Sequence, residues 1–530
     1  MGYVYSRAQK IMIWLGSTNE YSELFLDACD LWYQGRFTKI SEEATFVRLM
    51  HEFPEACRTF SLYPYVGQQY TTRGSCEQVA GNESEPHSTQ LSRASHLLSR
   101  CYRNMFDLSW FHRIWVLQEV LRDSVQVSQY IKMYTTKRSI IWDRFWKLSI
   151  FLHARAGKSS GIATSSLHNI SVNTNFSATS WTDLIRSASF NRAFGTLDIL
   201  AVVKATRRFL SSDPRDKLFA ILNLTREAGN SGQHQERIIV HQSHASKDKL
   251  IRPVYSKTFE QVLIDFACWH VGYTGSLRIL NFKSASPDAA LVGSYPSWVP
   301  NICQLDEHLP FTDVGVPFWS WPVFEVAGYP WPSLAVHGIR VACIEALLPG
   351  PFPFGHRLTS NDPIEQNRGS KEFFTFLSQQ YYDESLHGPD ELEFFLHSVP
   401  MLGRRTPDRR ENFRHWIQSR NEDHHEHQAD ASSWTSEIRN FWCNHHIFTS
   451  SLAGSSPGVC PSFAEAGDLI VAFYGCSVPY LIRPGYGGPA GDQLGYQFIG
   501  PCSLYSDTWL NLDIVKYQTE HGITTEIFEL

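Results

Sequence analysis

The sequence lacks Cys-x-x-Cys pairs, long apolar runs and an excess of basic residues, and each absence excludes a class of protein. Its eleven cysteines are odd in number and scattered, which is typical of reduced, buried thiols in a cytoplasmic protein. The longest apolar stretch, 469–482, is interrupted by Gly475 and Pro479 and is too short to span a bilayer. The first ten residues contain no apolar core, so we expect no secretory signal. The formal net charge of −6 offers no basic surface for nucleic acid.

The residues that are present predict a globular protein with more than one packed unit. A chain of 530 residues is too long for one compact core, and 43% hydrophobic and 14% aromatic residues imply large buried areas. The order of the patterns predicts a mixed α/β and α+β fold in three parts. These are an α/β piece at 1–122, a helical region at 123–310 and a β-rich region at 311–530. The last includes a helical, polar insertion at about 369–445.

Local periodicity predicts the individual elements. Alternating apolar residues at 10–16 predict a buried strand that ends at Gly16, and helical spacing begins near Glu20. The same reasoning predicts further helices at about 91–106, 108–122, 141–154, 196–210, 215–224 and 253–272. Strands are predicted at about 125–134, 339–347, 468–474, 479–483, 495–499 and 523–529.

Several matches to site motifs fail on their context. The segments 157–161 and 454–458 fit Gly-x-Ser-x-Gly, but neither has a strand before the serine and a helix after it. His424, His425 and His427 lie in a highly polar segment, which favours a solvated loop over a metal site. The sequence therefore predicts no metal and no resident cofactor.

The segment Asp213-Pro214-Arg215-Asp216 precedes an apolar run and is explained by helix capping. Asp213 can accept backbone N–H groups, Pro214 suits the first turn, and Asp216 favours the positive end of the helix dipole. Capping does not account for Arg215, which we expect to pair with a carboxylate elsewhere in the core.

The segment 111–120 reads as an amphipathic helix that carries polar groups on a half-buried surface. Such groups must find partners, because a buried charge without one is costly. Two interpretations of Glu119 are open. It forms an ion pair with Arg122, Arg113 or a distant arginine, or it is a functional carboxylate held beside Trp115.

Together these three segments resemble the HET (heterokaryon incompatibility) domain family of filamentous fungi. The central one is similar to the family pattern Trp-x-x-Arg-x-Trp-Val-x-Gln-Glu, which begins here at Trp110. The strand at 11–16 and the Asp-Pro-Arg-Asp segment resemble the flanking blocks of the family. The matching positions are Trp14, Gly16, Arg113, Trp115, Gln118, Glu119, Asp213, Arg215 and Asp216.

The chain departs from the family pattern at its beginning. Family members open with a Ser-Tyr-x-Trp-Gly segment and a Trp-Ile-Asp…Cys-Ile-Asn-Gln segment, and neither is found here. We therefore expect a HET domain without its first strands, either a truncated paralogue or a gene model begun at an internal methionine. A sheet without those strands would expose hydrogen-bonding edges.

The resemblance implies a role in fungal non-self recognition and programmed cell death. It also implies that the N-terminal piece is a partial TIR-like or flavodoxin-like α/β core, and some TIR domains cleave NAD at the nicotinamide–ribosyl bond. That chemistry requires a carboxylate at the carboxyl end of the parallel strands, for which Glu20 and Glu119 are the candidates. NAD would then be a substrate. The alternatives are a non-enzymatic module that self-associates or binds a protein partner, and an inactive truncated copy.

Overall fold

The computed structural model describes residues 10–36, 45, 48–49, 52–53, 87–120, 130–156, 181, 198–225, 253–283, 295–302, 322–328, 331–347, 445–451, 458–487, 494–504, 518–519 and 522–530. The chain is mixed α/β with a β-rich C-terminal part. It divides into two compact units, Met1–Gln233 and His234–Leu530. The predicted division at 122 and 310 stays a prediction. Nearly all of the predicted insertion at 369–445, with the histidines at 424–427, lies outside the described residues.

The N-terminal unit alternates strands and helices, as the sequence predicts for its α/β part. Its strands are β1 (Ile11–Trp14), β2 (Ile131–Tyr134) and β3 (Ser139–Ile141). Its helices are α1 (Glu20–Arg36), α2 (His87–Phe106), α3 (Ser109–His112), α4 (Val116–Val120), α5 (Trp142–Ala156), α6 (Ile199–Thr206) and α7 (Asp216–Phe219), followed by a 3₁₀ turn at Leu222–Leu224.

The three strands form one small sheet in the order β1-β2-β3. β1 is parallel to β2, with Ile13 opposite Met133, and β2 and β3 form an antiparallel hairpin. Ile13, Met133 and Ile140 are buried on one face of the sheet. On the opposite face of β1, Met12 is 69% exposed and Trp14 is 60% exposed. β1 was predicted to be a buried strand, but only one of its faces is buried.

Aromatic side chains fill the core between the helices of this unit. Phe25 of α1 lies edge-on to Tyr102 of α2, with ring centroids 5.4 Å apart. Phe106 packs against Phe111 at 4.8 Å, and Phe111 packs against Phe145 of α5 at 5.6 Å. Each of these rings is almost fully buried, so the aromatic content noted in the sequence is concentrated in this core.

The prediction of a single helix at 108–122 is wrong, because the helix is interrupted in the middle of the family-like segment. α3 ends at His112, and Arg113 is extended, with φ −81° and ψ 131°. Arg113 forms a parallel bridge with Leu210, and the N–H of Ile114 donates to the Leu210 carbonyl over 3.0 Å. A pairing with a chain segment nearly one hundred residues away thus replaces the local helical hydrogen bonds that periodicity favoured.

The first helix described in the C-terminal unit is α8 (Phe259–Thr274). Thr258 and Gln261 form a capping box at its start, and Gly275, at φ +65°, ends it. A 3₁₀ helix follows at Arg278–Phe282. The strands are β4 (Phe324–Ala327), β5 (Ser333–Leu347), β6 (His445–Ser450), β7 (Gly458–Pro461), β8 (Leu469–Phe473), β9 (Tyr480–Gly487), β10 (Leu494–Pro501) and β11 (Glu526–Glu529). All five strands predicted in this part are present.

These strands form one antiparallel sheet in the order β10-β9-β8-β5-β6-β7, with β4 and β11 also paired to β5. The sheet closes on itself, because Val459 of β7 forms an antiparallel bridge with Ser503, two residues after β10. Its interior is an apolar cluster that includes Ile344, Phe448 and Leu481. No helix among the described residues is long and apolar enough to cross a membrane.

Candidate functional site

Polar side chains gather directly after β1, where the strand gives way to α1. Gly16 turns the chain at φ +79°, a conformation in which a side chain would be strained. Asn19 then caps α1, because its Oδ1 accepts the N–H of Ser22 over 2.9 Å. The Asn19 amide donates to Oδ1 of Asn104 over 2.9 Å, and the Ser22 hydroxyl lies 3.2 Å from the Asn104 carbonyl oxygen. We call Thr18, Asn19, Ser22, Glu23 and Asn104 the strand-end cluster.

Glu23 is the carboxylate of the strand-end cluster. Its side chain is 2% exposed, and the Thr18 hydroxyl donates a hydrogen bond to its Oε1. Glu20 lies one turn earlier on the same helix and is exposed. The two acidic residues of the first turn thus differ in burial: Glu23 is buried and Glu20 is exposed. The sequence predicted the exposed Glu20 as the candidate carboxylate.

A basic side chain from the β2–β3 hairpin faces this region of α1. Arg138 bonds Asp27 and, through Nη2, Asp30 over 2.7 Å, and its charge also interacts with that of Glu23. Burial disfavours the charged guanidinium, but the hydrogen bond to Asp27 and the three carboxylate charges raise the pKa of Arg138. The guanidinium is thus a permanent positive charge near the buried Glu23 carboxylate.

The family-like residues of the central segment connect it to the Asp-Pro-Arg-Asp segment. The Trp115 indole Nε1 donates to Oδ2 of Asp216 over 2.9 Å. The Gln118 amide Nε2 donates to the Ala220 carbonyl over 2.8 Å, with Gln118 only 1% exposed. We call these two contacts, with the Arg113–Leu210 bridge, the signature clasp. Their partners are more than ninety residues apart in the sequence, so the clasp fixes the tertiary structure.

Glu119 lies on the border of the signature clasp and is partly buried. Burial raises the pKa of Glu119, while a hydrogen bond from Trp110 and the charge of Arg113 act in the opposite direction. Arg113 is exposed, and its charge favours the ionised form of the Glu119 carboxylate. The ion pair expected for Glu119 stays a prediction. Arg122 lies outside the described residues.

Arg215 binds a carboxylate of its own turn, a contact that the sequence did not predict. Its guanidinium binds Asp213 two residues earlier, with Nε 2.9 Å from Oδ1 and Nη2 2.6 Å from Oδ2. Asp213 Oδ1 also accepts the N–H of Arg215 over 2.9 Å, so Asp213 accepts a backbone N–H as predicted, although the residue at the N-cap position of the helix is Arg215. The hydrogen bonds from Arg215 lower the pKa of Asp213. α7 begins at Asp216, close to the predicted start.

The sequence reasoning missed Glu23 although one signal was available. Glu23 directly precedes the apolar run Leu24-Phe25-Leu26, so it enters the same buried part of α1. Glu20, the residue chosen, lies a full turn before that run. Among the described residues, no group of three or more His, Cys, Asp or Glu side chains is arranged to hold a metal ion.

Comparisons of the chain with models of protein families, with curated proteins and with solved structures give no significant match. Function is therefore inferred from the residues of this chain, above all from the strand-end cluster and the signature clasp.

Proposed function

We propose that this chain is a HET-type incompatibility protein that acts in the cytoplasm of a filamentous fungus, in non-self recognition and programmed cell death. The signature clasp supports this proposal. The residues that carry the resemblance in the central and third segments contact each other through Trp115–Asp216 and Gln118–Ala220. Direct contact between the two segments is expected if they belong to one family core.

We further propose that the N-terminal unit is a TIR-like enzyme that cleaves NAD, with Glu23 as its carboxylate in place of Glu20. The observation that carries this step is the burial of Glu23 directly after a parallel strand. Substrates of open α/β sheets bind at the carboxyl ends of the strands. A buried carboxylate is costly to fold, so its position at this edge favours a functional role.

The reaction proposed for this site is hydrolysis of the bond between nicotinamide and ribose. The bond electrons leave with the nicotinamide nitrogen, and the ribose carbon develops a positive charge. The Glu23 carboxylate stabilises that charge in a site of low dielectric constant, and water then adds to the ribose and releases a proton. The products are nicotinamide and ADP-ribose. Glu119 stays the second candidate carboxylate.

A second candidate function is a non-enzymatic module that binds a protein partner or a second copy of the chain. The exposed Met12 and Trp14 on one face of β1 favour this alternative. Large apolar side chains that share an exposed strand face are typical of interaction surfaces. In that case the buried carboxylate of Glu23 would serve the structure of α1 alone.

Expression of the full chain in fungal hyphae distinguishes the two candidates. Cell viability and extracted NAD are measured together after induction. The enzymatic proposal predicts that NAD falls before the cells die, and that Glu23→Gln abolishes both effects while Glu20→Gln preserves them. Cell death at constant NAD, lost in a Met12→Ser/Trp14→Ser variant, would support the interaction module. Healthy cells with abundant wild-type protein would contradict the HET-type proposal.

A further inference from the structure

The closed sheet of the C-terminal unit has a seam where the two ends of its strand order meet, β7 on one side and the residues just after β10 on the other. Val459 of β7 and Ser503 exchange two backbone hydrogen bonds, N to O over 3.0 Å and 2.9 Å. This bridge is isolated, whereas the other strand pairs of the sheet have three or more registered residue pairs. The seam is therefore the most weakly paired junction of the described sheet.

The register at the seam places two cysteines opposite each other. In an antiparallel ladder, the residue after Val459 faces the residue before Ser503, so Cys460 faces Cys502. Because Val459 and Ser503 exchange both hydrogen bonds, the cysteines occupy the next, non-hydrogen-bonded position. The Cys502 N–H donates instead to the Pro479 carbonyl over 3.0 Å, on its other side, as this alternation requires.

Facing residues at a non-hydrogen-bonded position have Cα atoms about 4.5 Å apart. That separation lies at the short end of the range of Cα separations spanned by a disulfide, about 4.4–6.8 Å. Both side chains point to the same face of the ladder, and both belong to the apolar cluster inside the sheet. Both are free thiols here, and the Cys460 thiol donates to the His446 carbonyl over 3.5 Å.

We propose that Cys460 and Cys502 are a redox-controlled pair whose disulfide fastens the seam of the closed sheet. The oxidant is a small-molecule disulfide such as oxidised glutathione. One cysteine thiolate attacks it, forms a mixed disulfide and releases one glutathione thiolate. The second cysteine then attacks the mixed disulfide, forms the Cys460–Cys502 bond and releases the second glutathione.

The burial of the pair determines when this reaction takes place. Both thiols have no exposed surface, and burial raises the pKa of each, so neither forms a reactive thiolate in the closed sheet. Separation of the weakly paired seam exposes both cysteines together. Oxidation therefore requires a local opening of the sheet, and the disulfide that forms then prevents the sheet from opening at the seam again.

The test uses the full-length chain incubated with oxidised glutathione, followed by alkylation of the remaining thiols and digestion with chymotrypsin. Cleavage after Phe463 and Tyr480 separates Cys460, Cys476 and Cys502 into different peptides. Mass spectrometry is expected to find a cross-linked pair that contains Cys460 and Cys502 and disappears on reduction. The unfolding midpoint of the C-terminal unit is expected to rise on oxidation and return with reductant.

Cys476→Ser is the matched control, because Cys476 is also buried in this unit but does not face the seam. This variant should keep the cross-link and the reversible midpoint shift, and Cys502→Ser should lose both. Oxidation of the urea-unfolded wild type shows the pairings that chance produces. The proposal is overturned if native oxidation leaves Cys460 and Cys502 unlinked, pairs them with other cysteines as often as in the unfolded chain, or leaves the midpoint unchanged.

Discussion

Replacement of Trp115 by phenylalanine tests whether the signature clasp holds the N-terminal unit together. The phenyl ring preserves most of the apolar contact but removes the indole N–H that donates to Asp216 over 2.9 Å. A hydrogen bond to a charged acceptor contributes about 1.5–3 kcal/mol. Both partners are only partly buried, so we expect the lower end, about 1.5 kcal/mol.

Hydrogen-exchange mass spectrometry measures this loss where it occurs. A cost of about 1.5 kcal/mol corresponds to a roughly tenfold increase in the population of the locally open state. Amides of 109–120 and 216–225 should therefore exchange about tenfold faster in Trp115→Phe. The strands of the C-terminal unit serve as the internal reference and should be unchanged.

Trp14→Phe is the matched control, because it makes the same substitution at a side chain that is 60% exposed. It should leave the exchange of both segments at the wild-type rate. Equal protection in Trp115→Phe and wild type would refute the clasp. A double-mutant cycle with Asp216→Asn should show a coupling of about 1 kcal/mol, whereas additive effects would mean that the two side chains do not interact in solution.

Three further predictions concern other parts of the structure. Because burial raises the folded-state pKa of Glu119 above its ordinary 4.5, its contribution to stability is full below that value and is lost as pH rises through the folded pKa. The wild type should therefore gain stability relative to Glu119→Gln on acidification, in urea unfolding followed by fluorescence from pH 7 to pH 4; parallel curves would contradict this. Arg483→Ala should lower the free energy of unfolding of the C-terminal unit by about 3 kcal/mol, because it leaves the 1%-exposed Asp468 without its bidentate partner. An unfolding midpoint like that of Arg340→Ala, whose ion pair is exposed, would contradict this. Gly458→Ala should lower the free energy of unfolding by about 1–3 kcal/mol, because a Cβ would clash with the Ser503 carbonyl and the Phe448 ring. Unchanged hydrogen exchange at the seam in this variant would count against the closed sheet.

Local sequence signals predicted the elements whose pattern and end signals lie within a short window of the sequence. The strand before Gly16, the start of α1 at Glu20 and the C-terminal strands all follow from periodicity and turn residues, and the structure contains them. The prediction of one helix at 108–122 was wrong because the pairing that interrupts it is with a distant segment. Arg113 pairs with Leu210, and no window of ten or fifteen residues contains both partners.

The candidate site was only partly predictable for a similar reason. Periodicity could locate an acidic helix start after β1, and the apolar run at 24–26 indicates that Glu23 turns inward, but neither pattern predicts what surrounds its carboxylate. The carboxylate contacts Thr18 and feels the charge of Arg138, which a hairpin more than one hundred residues later brings to α1. The contact between Arg215 and Asp213 was not predicted, because the sequence assigned Asp213 only a capping role in the same turn.

Release of nicotinamide from NAD by the purified full-length chain tests the central claim most directly. The comparison is between Glu23→Gln, which keeps the size of the buried side chain, and Glu20→Gln, which makes the same change at the exposed position of the same helical turn. We predict that wild type and Glu20→Gln release nicotinamide at equal rates and that Glu23→Gln is slower by at least about 100-fold. No release from the folded wild type, or full activity of a folded Glu23→Gln, would contradict the assignment of the buried carboxylate.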